Sequence, residues 1–232
     1  VYKRQWLEGD VMRLGAEDWG ANLSADQIHE FGRQAMSSLA AVHKVDISQV
    51  PYLGDPVPFA DDVTRWDRFY AKAAEPERLK DVPTVRQRLL DTVPQNAPVG
   101  IFHGDFQTAN LFASKDAQLL ALIDWELTGV GATLNDVGWI CTFSDEQAWV
   151  ENTDRTMFLT PDTLIDLYQN AYGQEVQNIN WYRALAAYKF AIISGLNLSL
   201  HRRGKREDEV WETTALSMKP LIDRALDLLA TA

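Results

Sequence analysis

The chain has 232 residues, 46% of them hydrophobic and 24% charged, the balance of a globular protein with one sizeable core or two modest ones. Its formal charge of −11 argues against a nucleic-acid partner, whose phosphates demand Lys and Arg; it would suit a cationic small substrate, though a solvated acidic surface accounts for it more simply. No apolar run is long enough to cross a membrane, the first ten residues lack a secretory apolar region, and the lone Cys141 excludes a disulfide within the chain and points to a reducing cytoplasm.

At the N-terminus, "YKRQWLEG" alternates loosely up to Gly9, as an edge strand or linker would. Ser24 and Gln27 form a capping-box pair, and Ile28, Phe31, Ala35, Leu39 and Val42 recur at helical spacing behind it. "PYLGDPVP" reads as a loop, after which Phe59, Val63, Trp66 and Tyr70 repeat as one amphipathic helix. Pro83 opens a shorter helix that ends before Pro94.

The period then changes. "VGIFH", "NLFA" and "LLALIDW" are short runs of strand-forming residues, with the turn "SKDAQ" between the second and third. A loop over 104–110 separates the first two. After Gly131 helical spacing returns near 135–143, 161–172, 181–201 and 211–230, with Pro161 suited to a first turn. The expectation is an α+β, mainly helical protein with a small β insert.

That insert carries the candidate chemistry. His103-Gly104-Asp105 is followed by Asn110, and Asp124 stands at the end of the third run. If these runs form one hairpin over 99–126, its ends return to the same side and Asp105, Asn110 and Asp124 converge. Phosphoryl transfer uses such a set: a carboxylate for the attacking hydroxyl, and an amide with a second carboxylate for Mg²⁺.

"HGDFQTAN" followed by "LIDWE" resembles the catalytic loop and metal-binding motif of the aminoglycoside phosphotransferase-like kinases, a group that includes choline-kinase-like enzymes. "GVGATLNDVGWI" continues the resemblance, with Ala132 and Thr133 where the family has Asp and Pro, and "LAAVHKVD" and "WLEGDVM" are similar to the family's first C-lobe helix and interlobe strand. The resemblance implies a protein-kinase-like C-terminal lobe, with residues 1–10 as an interlobe remnant and 11–232 as the lobe, its helical substrate subdomain over 135–232. It implies Asp105 as catalytic base and Asn110 and Asp124 as Mg²⁺ ligands, supported by His103, Glu126 and Asp136. ATP or GTP would be the donor and a small-molecule hydroxyl the acceptor.

Among later residues, Asp145, Glu146, Trp149, Tyr188 and His201 are candidates for acceptor binding, with Asn197 and Arg202 nearby. Trp125 and Cys141 read as packing, and His43 as a helix-terminal cation without catalytic role. The family's Gly-rich loop and strand lysine find no counterpart in "VYKRQ", so the N-terminal nucleotide lobe is expected to be missing and turnover by this chain alone to be slow. A non-catalytic binding or regulatory module is the alternative, and a metal-dependent hydrolase a more distant one.

Overall fold

A computed structural model describes residues 7–13, 18–150 and 158–231. The expected strand or linker over "YKRQWLEG" lies mostly outside these residues. Within them, β1 (Asp10–Val11) forms the edge of a three-stranded antiparallel sheet with β3 (Leu111–Ala113) and β4 (Leu119–Leu122). Asp10 and Val11 both pair with β3, so the expected boundary between residues 10 and 11 falls inside this strand.

Helix α1 (Ala25–His43) starts at the expected capping box: Ser24 Oγ accepts from the Gln27 amide, and Gln27 Oε1 accepts from the Ser24 amide. Its buried stripe includes Phe31, Ala35, Met36 and Leu39. The expected second helix is divided into α2 (Phe59–Thr64) and α3 (Asp67–Tyr70). Both residues at the junction, Arg65 and Trp66, keep right-handed helical angles, so the apolar period survives while the hydrogen-bond ladder is interrupted. Helix α4 (Val82–Asp91) carries Pro83 in its first turn, where the missing N–H costs nothing.

The single hairpin expected over 99–126 is instead split between two sheets. Strand β2 (Val99–Phe102) does not pair with β3; it pairs antiparallel with β5 (Gly129–Ala132), with Gly100 opposite Gly131. The glycines explain the choice. A Cβ on Gly100 would lie 2.9 Å from the His43 carbonyl oxygen, and one on Gly129 would lie 2.8 Å from the Phe102 ring. Only a nearly bare ribbon packs this tightly on the end of α1. The loop over residues 103–110 therefore bridges the sheets, while β3 and β4 form the true hairpin around Ser114 and Gln118.

Beyond β5 the chain is helical: α5 (Leu134–Phe143), α6 (Pro161–Tyr172), α7 (Ile179–Arg202), α8 (Val210–Thr214) and α9 (Met218–Ala230). Thr160 caps α6 with Pro161 behind it. Helix α7 is buried on most of its circumference, from Trp181 to Leu198, and forms the axis against which α5 and α9 pack. Gly138 allows α5 to meet α7 backbone to backbone; a Cβ there would sit 2.5 Å from the Tyr182 carbonyl oxygen. Buried Cys141 belongs to this core, and burial pushes its thiol up to about 12. No helix among the described residues is long and apolar enough to cross a membrane.

Candidate active site

The bridging loop is held from below by one buried carboxylate. Asp136, in the first turn of α5, accepts the His103 amide at 2.6 Å and the Gly104 amide at 2.8 Å. Its Oδ2 also lies 3.1 Å from His43 Nε2, and His43 Nδ1 lies 2.7 Å from the Tyr168 hydroxyl. Since a carboxylate only accepts here, Nε2 donates to it, and Nδ1 shares a hydrogen bond with the Tyr168 hydroxyl. His43 thus has a partner the sequence did not suggest: it ties α1 and α6 to the loop.

His103 is wholly buried. Its Nε2 donates to the Ile123 carbonyl at 2.9 Å and its Nδ1 accepts the Asp105 amide at 3.3 Å, which fixes the tautomer and leaves no ring nitrogen for a ligand. Gly104 turns the chain with φ +90°, and a Cβ there would fall 2.3 Å from the Leu127 carbonyl oxygen. Phe106 is buried on the other side of the turn.

Asp105 is thereby presented half-buried with its carboxylate oriented by three side chains. Gln107 Nε2 reaches both oxygens at 2.8 and 3.0 Å, Asn110 Nδ2 donates to Oδ2 at 2.9 Å, and the Trp139 indole N–H donates to Oδ1 at 2.8 Å. Asn110 Nδ2 also donates to the Asp105 carbonyl at 2.8 Å. With its nitrogen turned to Asp105, the amide of Asn110 leaves its oxygen facing away. Its backbone carbonyl accepts the Ile123 amide at 3.0 Å, which brings the turn bearing Asp124 alongside.

Asp124 is exposed and adopts a left-handed conformation, φ 63° and ψ 62°, unusual for a residue with a Cβ. Such strain is retained where neighbours fix it, here the Ile123 contacts and the Trp125 indole N–H donating to the Leu122 carbonyl at 2.8 Å. Trp125 also lies over His103, with ring centroids 4.5 Å apart. Glu126 follows in a one-turn 3-10 helix and is exposed.

The oxygens of Asn110 and Asp124 are hard donors on adjacent backbone, with no ion pair on Asp124 among the described residues, and this chemistry fits Mg²⁺. No cluster of three or more His, Cys, Asp or Glu residues suited to a metal forms among the described residues. A cation at this place would therefore draw its remaining ligands from substrate and water.

The later candidates do not join this group. Asp145 is buried and its Oδ2 accepts from Arg183 and Arg224, each at 2.8 Å, an arrangement that locks α7 and α9 to the segment after α5. Trp149 packs on Phe143 and Phe190 and donates to the Thr142 carbonyl at 2.9 Å. Tyr188 is fully buried in α7, Glu146 is exposed, and buried Asn197 lies farther along the same helix. His201 accepts the Asp208 amide at 2.9 Å near the Arg202–Glu212 ion pair. None of them lines the cleft beside Asp105. That cleft, of about 260 Å³, is walled by Arg65, Trp66, Arg68, Phe69, Trp139 and Lys189, and it reaches Gly104 and Asp136. Trp139 was legible in principle, one helical turn beyond Asp136 and hence on the same face of α5.

With this geometry in view the relationships of the chain become informative. Residues 5–188 match the model of the phosphotransferase enzyme family (APH), and the chain belongs to that family. It is 28% identical over 214 residues to acyl-CoA dehydrogenase family member 11 of Gallus gallus, covering 84% of this chain but only 27% of that much longer one. Its backbone is similar to that of a Ralstonia eutropha JMP134 protein provisionally described as an aminoglycoside phosphotransferase, with a TM-score of 0.81 at 19% identity over 98% of this chain and 72% of that one. The ADP-bound aminoglycoside phosphotransferase APH(2'')-Ib has a TM-score of 0.59 at 15% identity, over 94% of this chain and 71% of its own. At such identities the likeness establishes a kinase-like, mostly helical fold.

Proposed function

We propose that the protein transfers the γ-phosphoryl group of a nucleoside triphosphate to a hydroxyl of a small molecule. The observation that carries this reading is the Asp105–Asn110 pair, a carboxylate and an amide joined directly and set beside Asp124 on one loop junction. Membership in the phosphotransferase family supports it, as does the ADP bound by one structural relative.

In this reading Asp105 orients the acceptor hydroxyl and takes its proton as the oxygen bonds to the γ-phosphorus and the bond to the nucleoside diphosphate breaks. Gln107, Trp139 and Asn110 keep the carboxylate aimed, so little is lost to reorganisation at the moment of reaction. Asn110 and Asp124 would hold Mg²⁺, which when bound neutralises charge on the phosphates. His103 and Asp136 act as positioning residues through the loop backbone, and Glu126 follows Asp124 in the same turn.

Binding of Mn²⁺, followed by electron paramagnetic resonance, tests the site independently of turnover. Wild-type protein should bind the ion in the presence of ATP, and Asp124→Ala or Asn110→Ala should weaken it by roughly 10–100-fold or more. Equal affinity in all three proteins would remove the metal from this site. A binding module without turnover would keep Mn²⁺–nucleotide binding yet release no phosphorylated product.

A further inference from the structure

The cleft beside Asp105 has a charge opposite to that of the protein. The chain carries a formal −11, yet three cationic side chains, Arg65, Arg68 and Lys189, line this cleft against one carboxylate, Asp136. That carboxylate already receives His103, Gly104 and His43. Asp105, which follows the lining Gly104 and is bonded to the lining Trp139, is also engaged by Gln107 and Asn110. Asp62 behind the wall faces Arg65 at 2.6 Å, Lys189 at 3.8 Å and the Asn135 amide at 2.8 Å. The carboxylates around the cleft are thus engaged, Oδ1 of Asp62 by ion pairing alone.

The donors are not. Arg68 lies over the Phe69 ring and forms no ion pair among the described residues. Trp66, also a wall residue, has a buried indole N–H without a hydrogen-bond partner among the described residues. Lys189 sits between the Trp66 and Trp139 rings, 5.5 and 5.8 Å from their centroids, and burial lowers its ammonium pKa from the ordinary value. An incoming anion would offset that burial. The remaining wall is mostly apolar, with Phe69, Phe102, Leu127 and Ile193 beside Gly104 and the polar Asn135.

We infer that this cleft takes an acceptor alcohol with a flat or apolar body and one anionic group, the anion seated among Arg65, Arg68 and Lys189 and the hydroxyl directed to Asp105. The inference rests on the phosphotransfer reading for the role of the hydroxyl, and it reverses the cationic substrate that the net charge would suit. A polycationic acceptor would set its ammonium groups against three cations that share the single Asp62 carboxylate between two of them, an excess of like charge that disfavours it.

Three probes of one shape separate charge from fit: 4-(hydroxymethyl)benzoate, 4-methylbenzyl alcohol and 4-(aminomethyl)benzyl alcohol. Each is titrated into the full chain without nucleotide and followed by tryptophan fluorescence. The benzoate should bind roughly tenfold more tightly than the neutral alcohol, and the amine should bind most weakly. Arg68→Gln and Lys189→Met should each remove most of the benzoate preference while leaving the neutral alcohol unchanged. Arg68 is exposed, so its variant tests the charge without disturbing the core. Equal binding of all three probes, preference for the amine, or no saturable benzoate binding would overturn the inference. Because the titration contains no nucleotide, an anion-selective cleft in a protein that never phosphorylates would refute only the reaction.

Discussion

Trp139 donates its indole N–H to Oδ1 of Asp105 at 2.8 Å, joining α5 to the loop 34 residues earlier in the chain. The contact makes the second turn of α5 part of the site, along with its first-turn carboxylate. Replacing Trp139 by Phe keeps the aromatic packing on Phe143 and Phe190 but deletes the donor. The expected outcome is a fall in kcat of roughly 10–100-fold with unchanged Mn²⁺ affinity, measured by acceptor phosphorylation and by paramagnetic resonance. An unaltered kcat would show that Gln107 and Asn110 suffice to aim the carboxylate.

Asp136 should be more important for folding than for the metal. Asp136→Asn keeps the volume but sets an amide N–H against groups that are themselves donors. We expect a loss on the order of 3 kcal/mol in urea unfolding, with the loop amides of His103 and Gly104 exchanging faster with deuterium. Wild-type stability in this variant would mean that the loop stands without its anchor.

Asp145 is the strongest disagreement between sequence pattern and structure. An acid after α5 suits a substrate site, yet it holds two guanidinium groups between helices. Asp145→Ala leaves buried Arg183 without its carboxylate and should cost about 3–5 kcal/mol of stability. In the folded fraction, acceptor affinity should be unchanged. An intact melting temperature with weakened acceptor binding would return Asp145 to the substrate site.

Cys141 gives a pH dependence with a definite sign. Its thiol titrates near 9.0 ordinarily and is pushed up to about 12 by burial, so between these values the unfolded chain releases a proton that the folded chain keeps. Stability should be unaffected by this group below pH 9 and should fall as pH rises toward 12. Burial pushes the Tyr168, Tyr182 and Tyr188 hydroxyls in the same direction, so the test is the difference in slope between wild type and Cys141→Ala. The native thiol should also resist a disulfide reagent at neutral pH until urea unfolds the chain.

Much of this architecture was legible from local signals. The capping box at Ser24, Pro83 and Pro161 in first turns, and the β3–β4 hairpin all rest on interactions within a few residues, and all are present. Strand β5 was missed because "GVGA" has neither alternation nor branched side chains in number; its glycines serve close packing with Phe102, a long-range demand. The same hidden pairing undid the single hairpin. Asp105, Asn110 and the Asp124 turn were nevertheless found together, since the Asn110–Ile123 backbone bond extends the true hairpin by one step. Trp139 could be read only from its spacing to Asp136, and Gln107 and the cationic wall of Arg65, Arg68 and Lys189 have no signature of their own. Their roles arise from where α2, α3, α5 and α7 meet, which spacing along the chain does not express.

The central claim is that Asp105 takes the proton of an acceptor hydroxyl during phosphoryl transfer. The most direct measurement is the rate of transfer of labelled γ-phosphate from ATP to the tightest-binding alcohol probe, compared between wild type and Asp105→Asn under identical Mg²⁺. The account predicts a decrease of roughly 100–10,000-fold, with Mn²⁺ and acceptor affinities retained. Equal rates in the two proteins would contradict it and move the chemistry away from this loop.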